Sequence, residues 1–454
     1  MKYTRKHILA SYYSLLGVFA LVLFAPRIQD GSTLRLLASQ QTVGTPIAIA
    51  EMYNTPEMNS QQLRIANRLQ NRLFRSGRIT PPLTLLKNAV AQRQAYLRRH
   101  VSMHIKNSEG IDQGTIEVSL NAYPLWLMPN FSLTNARFDI DINAVTDHLL
   151  AMDTPGAYVP ENITLLSIEK NEDVFRVQTS GSAKRGEQLD APSSAEMLID
   201  ALKSGEDEIS IQLQNVPGLV QNTTEEDLGE LALLASGRSN FAGSTYARTK
   251  NVQKALRTHV NNTLVPPGTT FSFNSTLGGP VTESRGWSVA QVIFEGDQLR
   301  PAAGGGICQA STTVYRAIVN AGFPVVERRA HSLYVSYYKE YGVGIDATIF
   351  PGSQDLVFLN DTKFPLLIQA YDDGYEAVVN IYGTSDGRSV ELKGPYFSTN
   401  APEGFTVFER SLLQNEVAWV QVVTFPDGNT QKNIILSRYK ALPLYVKNEF
   451  ALVE

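Results

Sequence analysis

The sequence predicts an α+β protein, and three patterns carry that reading. Alternating or β-branched stretches at 114–120, 162–169, 174–178 and 208–213 are interleaved with helical patterns at 143–152 and 193–204. A buried helical pattern with Val314, Ala317, Ile318, Val319 and Ala321 follows Cys308 and stops at Gly322 and Pro324. From Val325 onward the chain reads as short strands and turns. Its 454 residues hold 43 % hydrophobic and 19 % charged side chains, ordinary for globular protein and enough for roughly two or three domains. There is no internal repeat and no low-complexity tract.

At the N-terminus, Lys2, Arg5 and Lys6 precede an uncharged run, 8–26, rich in Leu, Val, Phe and Ala. That run is long enough to span a bilayer, and the basic residues before it put the N-terminus in the cytoplasm. The competing reading is a cleaved signal peptide, for which Leu23-Phe24-Ala25 is a poor small-x-small site. Residues 1–30 are therefore expected to be a membrane anchor or signal segment. The bulk of the chain then lies outside the cytoplasm, single-pass in the membrane, or secreted if the segment is cut.

Residues 31–110 read as a tether followed by a basic helical region. Leu63, Ala66, Leu69 and Leu73 recur at helical spacing, with Arg64, Arg68, Arg72 and Arg75 on a neighbouring face. After Pro81-Pro82 a second helical stretch runs to about His100. No acidic residue falls between 61 and 108, against nine Lys and Arg in 61–99. Such a face is either simply solvated or a contact for anionic lipid or wall polymer. The net charge of -4 makes no case for nucleic acid.

Residues 111–235 form an α+β domain with Asp190 or Ser193 as the N-cap of its second helix and no catalytic spacing. The stretch 216–250 reads as a connection. In 236–454 an amphipathic helix at 251–262 precedes a strand at 269–274. Late strands follow at 378–382, 418–424 and 432–439, with Pro426-Asp427-Gly428 making a hairpin turn.

The chemistry centres on Cys308, the one cysteine, in Gly304-Gly305-Gly306-Ile307-Cys308-Gln309-Ala310-Ser311-Thr312-Thr313. It has no partner for an intramolecular disulfide, so it packs, reacts or bridges molecules. A thiol just inside a helix start, after glycines, is favoured as thiolate by backbone N–H groups and the helix dipole. A buried packing role is the alternative. Of six histidines, His100 and His104 share helical i, i+4 spacing without a carboxylate or Cys to complete a metal site. His331 follows a strand-like stretch entered from the Cys308 helix; a strand packing back would return it to the helix start, and a surface His is the other reading. Asp346, among glycines, is an orienter for the imidazole or a turn residue, with Glu327 in reserve. Gln309 and the backbone N–H groups of Cys308 and its neighbours, Gly305 and Gly306 among them, are oxyanion candidates.

The run from Gly304 to Tyr315, then Glu327-Arg328, His331-Ser332-Leu333-Tyr334-Val335-Ser336-Tyr337 and Gly344-Ile345-Asp346-Ala347-Thr348, resembles the VanW domain family. Pro267-Gly268-Thr269-Thr270-Phe271-Ser272-Phe273-Asn274, Arg285-Gly286-Trp287 and Asn360-Asp361-Thr362-Lys363-Phe364-Pro365 fit the same pattern, over about 236–390. More faintly, 111–235 resembles the peptidoglycan-binding type of domain often found before VanW. The resemblance implies a VanW-like C-terminal domain with a nucleophile-bearing helix and short antiparallel strands.

Some members of the family act as cysteine L,D-transpeptidases of peptidoglycan. Carried over, Cys308 is the nucleophile, His331 its partner and Asp346 the orienter, with Ser332 and Tyr334 added as substrate or oxyanion contacts. Tyr334 stands where the family usually has Pro, and Ala302-Ala303 precede the glycines, so the pocket wall departs from the pattern. The implied partners are peptidoglycan peptide stems, with no cofactor and no metal. Two alternatives stand beside this reading: a wall-binding or assembly protein without catalysis, and a cysteine peptidase or carboxypeptidase on the same stems.

Overall fold

The computed structural model describes residues 56–441, apart from 172 and 295–297. The apolar run 8–26 and the tether up to 55 lie outside the described residues. Among the described residues, no helix is long and apolar enough to cross a membrane. The described residues form two compact units: 56–95 with Phe131–Arg137, and Tyr96–Asn130 with 138–441.

In the first unit, α1 (Pro56–Arg75) and α2 (Leu83–Tyr96) enclose a small core of Ala66, Leu86 and Val90, flanked by Leu69, Leu73 and Phe131. The helical spacing of Ala66, Leu69 and Leu73 builds this face, whereas Leu63 is exposed. Arg64, Arg68, Arg72 and Arg75 are all exposed. The second helix stops short of His100, which opens a strand, His100–Lys106. His100 and His104 therefore stand opposite Ser119 and Thr115 on a β-ladder, not one turn apart on a helix. β-branched Val101 and Ile105 alternate with polar neighbours there, and period two overrides the helical spacing.

The second unit holds the mixed architecture expected of an α+β chain. A three-stranded sheet runs Asp112–Ser119, His100–Lys106, Glu208–Gln212. Helices α3 (Ile142–Ala151) and α4 (Ala191–Ser204) pack on each other, capped by Asp141 and Asp190. The central sheet has seven strands, in the order Val220–Asn222, Glu161–Asn171, Val174–Lys184, Thr263–Val265, Leu366–Asp373, Glu376–Gly383, Ala232–Asn240.

Two differences from the expected layout follow. The stretch 216–250 is not merely a connection, because Ala232–Asn240 is the edge strand of the central sheet. The boundary placed between 235 and 236 cuts through one continuous sheet. Ile163, Leu165 and Val177 bury their side chains with Leu264, Leu367 and Tyr382, so the strands before and after the boundary share a core.

Past the edge strand come α5 (Tyr246–Lys254), which continues as a π-helical turn through Val260, then α6 (Phe273–Leu277) and α7 (Ile307–Ala321). Helix α7 lies against Ala232–Asn240 and Glu376–Gly383. Gly237 permits the contact: a β-carbon there would lie 2.2 Å from the Thr313 carbonyl oxygen. The last antiparallel sheet, Ser389–Tyr396, Glu416–Thr424 and Thr430–Arg438, includes the hairpin expected around Pro426-Asp427-Gly428.

Candidate functional site

Helix α7 brings Cys308 to its second position. Gly306 is the N-cap residue at φ +112°, a left-handed conformation that suits glycine, and it supplies no side chain to cap the helix. Gly304 accepts from Ile307 N at 3.0 Å and Gly306 from Gln309 N at 2.9 Å, closing the first turn. Buried Asn251 fastens this turn to α5 and to the preceding hairpin. Its Nδ2 donates to Ser288 O (2.8 Å) and Gly305 O (2.9 Å), while its Oδ1 accepts from Ser288 N (2.9 Å).

Beyond α7 the chain turns back as the strand Val325–Glu327. A bridge between Arg329 and Thr348 then sets 329–331 beside 346–348. The second segment is locked to α7, because Ser311 Oγ donates to Ala347 O (2.7 Å) and Ala347 N donates to Thr312 Oγ1 (3.2 Å). Those two ties bring Cys308, His331 and Asp346 together.

His331 Nδ1 lies 2.5 Å from Asp346 Oδ2, and the same oxygen accepts from the His331 backbone N–H at 2.8 Å. With Nδ1 held by the carboxylate, Nε2 is the ring nitrogen left for the Cys308 thiol, with which the imidazole interacts. Sγ also lies 3.7 Å from Thr348 Oγ1 and 3.7 Å from Ile349 O. Asp346 and His331 are only 1 % and 5 % exposed, whereas Cys308 is half-buried. The other Asp346 oxygen accepts from Tyr439 Oη (3.0 Å) and Arg328 Nη2 (3.4 Å).

The electrostatics follow from this packing. Burial opposes every charge, yet the partners win. Hydrogen bonds and charge from His331, then Arg328, hold the Asp346 carboxyl well below the usual range. Burial alone would lower the imidazole, but Asp346 and Cys308 push it up to about 9. Burial alone would raise the thiol, and its hydrogen bond to a charged His331 brings it below its ordinary value. Both shifts run towards a thiolate beside an imidazolium backed by a carboxylate, an arrangement suited to nucleophilic acyl chemistry.

Other expected residues take different places. Gln309 is fully buried, and its Nε2 donates to Ser239 Oγ (2.7 Å) and Asn240 O (3.2 Å) while its Oε1 accepts from Arg248. Its amide is committed away from the thiol, and its backbone N–H closes the helix turn, so it is no oxyanion donor. Gly305 and Gly306 contribute backbone geometry. Ser332 O accepts from Lys440 N (2.7 Å), and the Tyr334 ring stands edge-on to Tyr439, behind the carboxylate. Glu327 is exposed and accepts from Asp355 N at 2.9 Å, which leaves the orienting role to Asp346.

Several residues here escape sequence reasoning. Tyr439 and Ser437 come from the last strand and its end, far from Asp346 in sequence; Ser437 Oγ accepts from Arg328 Nη2 at 2.6 Å. No local pattern marks them. Tyr338, whose ring centroid is 5.2 Å from that of His331, sits among the tyrosines that follow the His motif. Asn251 is one polar residue within an amphipathic helix.

Comparison with known proteins finds a family match over this part of the chain. The family model described as VanW like protein matches residues 247–382, a span that holds Cys308, His331 and Asp346. The uncharacterized protein YoaR of Bacillus subtilis (strain 168) is 34 % identical over 163 residues, covering 36 % of this chain and 52 % of that relative. The chain thus spans about half the length of the curated relative it matches. No solved structure matches it.

Proposed function

For a chain that carries a VanW-like domain at residues 247–382, we propose a cell-wall role carried out by cysteine acyl transfer on peptidoglycan peptide stems, as an L,D-transpeptidase. The observation that carries the reading is the buried Asp346–His331 pair beside the half-buried Cys308 at the start of α7.

In the first step, Cys308 thiolate attacks the carbonyl carbon between the third residue and terminal D-alanine of a tetrapeptide stem. The backbone N–H of Cys308, whose neighbours Ile307 and Gln309 use theirs to close the first turn, receives the developing oxyanion. The C–N bond breaks as the His331 imidazolium gives its proton to the departing amine, leaving a thioester on Cys308. In the second step, a side-chain amine of another stem attacks the thioester, its proton passes to His331, and thiolate leaves. Asp346 keeps the imidazole in the tautomer that both transfers need. Water as the second nucleophile makes the same machinery a carboxypeptidase.

On this reading the 8–26 run anchors the chain so that the site faces the wall, and the exposed arginines of α1 meet an anionic polymer or lipid surface.

The test is incubation of the full-length protein with tetrapeptide muropeptides, followed by mass spectrometry. The expected result is an acyl adduct on Cys308 and a cross-linked dimer, both lost in Cys308→Ala. A tripeptide product without a dimer would reassign the protein as a hydrolase. Stem binding without any adduct would leave a wall-binding protein.

A further inference from the structure

Arg248 lies in the first turn of α5, against the glycine turn that delivers Cys308. A β-carbon added at Gly306 would stand 2.9 Å from its Cγ. Three neutral groups fix its guanidinium. Nη1 donates to Ser244 Oγ (2.6 Å), Nη2 donates to Gln309 Oε1 (2.7 Å), and Cζ sits 4.0 Å from the centre of the Tyr337 ring. Gln309 is itself clamped at its other end by Ser239 and Asn240, so the guanidinium is held in a set orientation.

Its charge is unmatched. Among the described residues no carboxylate pairs with Arg248, while Arg328 meets Asp346 and Arg238 meets Glu109 and Glu376. Arg316 also lacks a carboxylate, but its buried donors are taken by the carbonyls of Arg238, Tyr338, Gly342 and Ile345. Arg248 is half-buried, and two side-chain hydrogen bonds leave most of its five N–H donors for a ligand. Gly306 and Gln309 stand on either side of Cys308 in the chain, so their contacts hold Arg248 beside the turn that carries the thiol.

We propose that Arg248 is the carboxylate-binding residue of this site, and that the acyl donor carries a carboxylate next to the bond Cys308 breaks. The proposal rests on the acyl-transfer reading above and narrows it. A stem ending in D-alanine presents such a group on the leaving residue, whereas a stem that continues one residue further carries its charge away from Arg248. A planar, always-charged fork suits a carboxylate by two parallel hydrogen bonds. Gln309 then acts as a positioning residue: it holds Arg248.

Alkylation of the full-length protein tests this without any stem. Iodoacetate carries a carboxylate beside its reactive carbon, and iodoacetamide is its neutral analogue. The iodoacetate-to-iodoacetamide rate ratio at Cys308, taken relative to a free thiol, is expected to exceed one. It should fall about tenfold in Arg248→Met and recover in part in Arg248→Lys. An unchanged ratio in Arg248→Met overturns the proposal. The iodoacetamide rate by itself reads the thiolate, so a sluggish rate strikes the nucleophile reading while the ratio still judges Arg248.

A second measurement needs no variant. N-acetyl-D-alanine should protect Cys308 from iodoacetamide and its C-terminal amide should not; equal protection, or none from either, overturns the assignment.

Discussion

Helices α4 and α7 begin in opposite ways. Asp190 caps α4: its carboxylate accepts from Ser193 N (3.2 Å), from Ser193 Oγ (2.8 Å) and from Gln214 Nε2 (3.1 Å). Those bonds from Ser193, with that from Gln214, hold its carboxyl below the ordinary range. Asp141, Thr245 and Ser272 cap α3, α5 and α6 with their side chains in the same way. Helix α7 starts on Gly306 with no side-chain cap and places Cys308 there instead. A capping carboxylate would occupy the first-turn N–H groups and repel a thiolate beside them. Those helices gain a side-chain cap at their N-termini, and α7 goes without it where the thiol sits.

Four substitutions sharpen or break that contrast, and the largest effect belongs to His331. In His331→Ala the thiol loses the partner that lowers it, so the pH midpoint of iodoacetamide alkylation should climb to ~8.5 or above. Acyl-adduct formation should drop by ~10²–10⁴-fold. An unshifted alkylation profile would mean that the helix start alone governs the thiol.

Next comes Asp346→Asn, which leaves half-buried Arg328 without its carboxylate and should cost about 3 kcal/mol. The pH dependence has a defined sign. The Asp346 pKa is depressed, so its contribution is present above the unfolded carboxylate value and is lost as pH falls through the acid range. The His331 pKa is raised, so its contribution is full below the unfolded imidazole value and fades as pH rises through about 9. The difference in Tm between wild type and Asp346→Asn is therefore expected to be widest from about pH 5 to about pH 6.5 and to narrow on both sides.

Smaller still is Gly306→Ala, which forces a side chain into positive φ and against Arg248. It should cost ~1–2 kcal/mol in chemical denaturation and slow alkylation of Cys308. The smallest is Asp190→Ala, worth about 1 kcal/mol of stability with an unaltered Cys308 alkylation profile. If Asp190→Ala perturbed the thiol, the two helix starts would not be independent.

Much of the site was legible because it is carried by short motifs. The glycines before Cys308, the strand returning from α7 and the polar residue among small ones at 346 each leave a local mark. The late hairpin was legible for the same reason, as turn chemistry between alternating residues. The edge strand Ala232–Asn240 was hidden by its Ser and Gly content, since Gly237 is demanded by the approach of α7 and not by the strand itself. The strand at His100 was hidden by a coincidence of spacing that suits two kinds of element.

What the sequence determined by itself was the set of candidate groups: one thiol, a histidine and an acid whose neighbours fix their local backbone. Tertiary structure decided what surrounds those groups. Tyr439 and Arg328 reach Asp346, and Asp346 sets the tautomer of His331. Gln309 is turned away from the thiol to hold Arg248. Hydrogen bonds to a buried carboxylate depend on which distant strands close over it, and no local pattern along the chain encodes that.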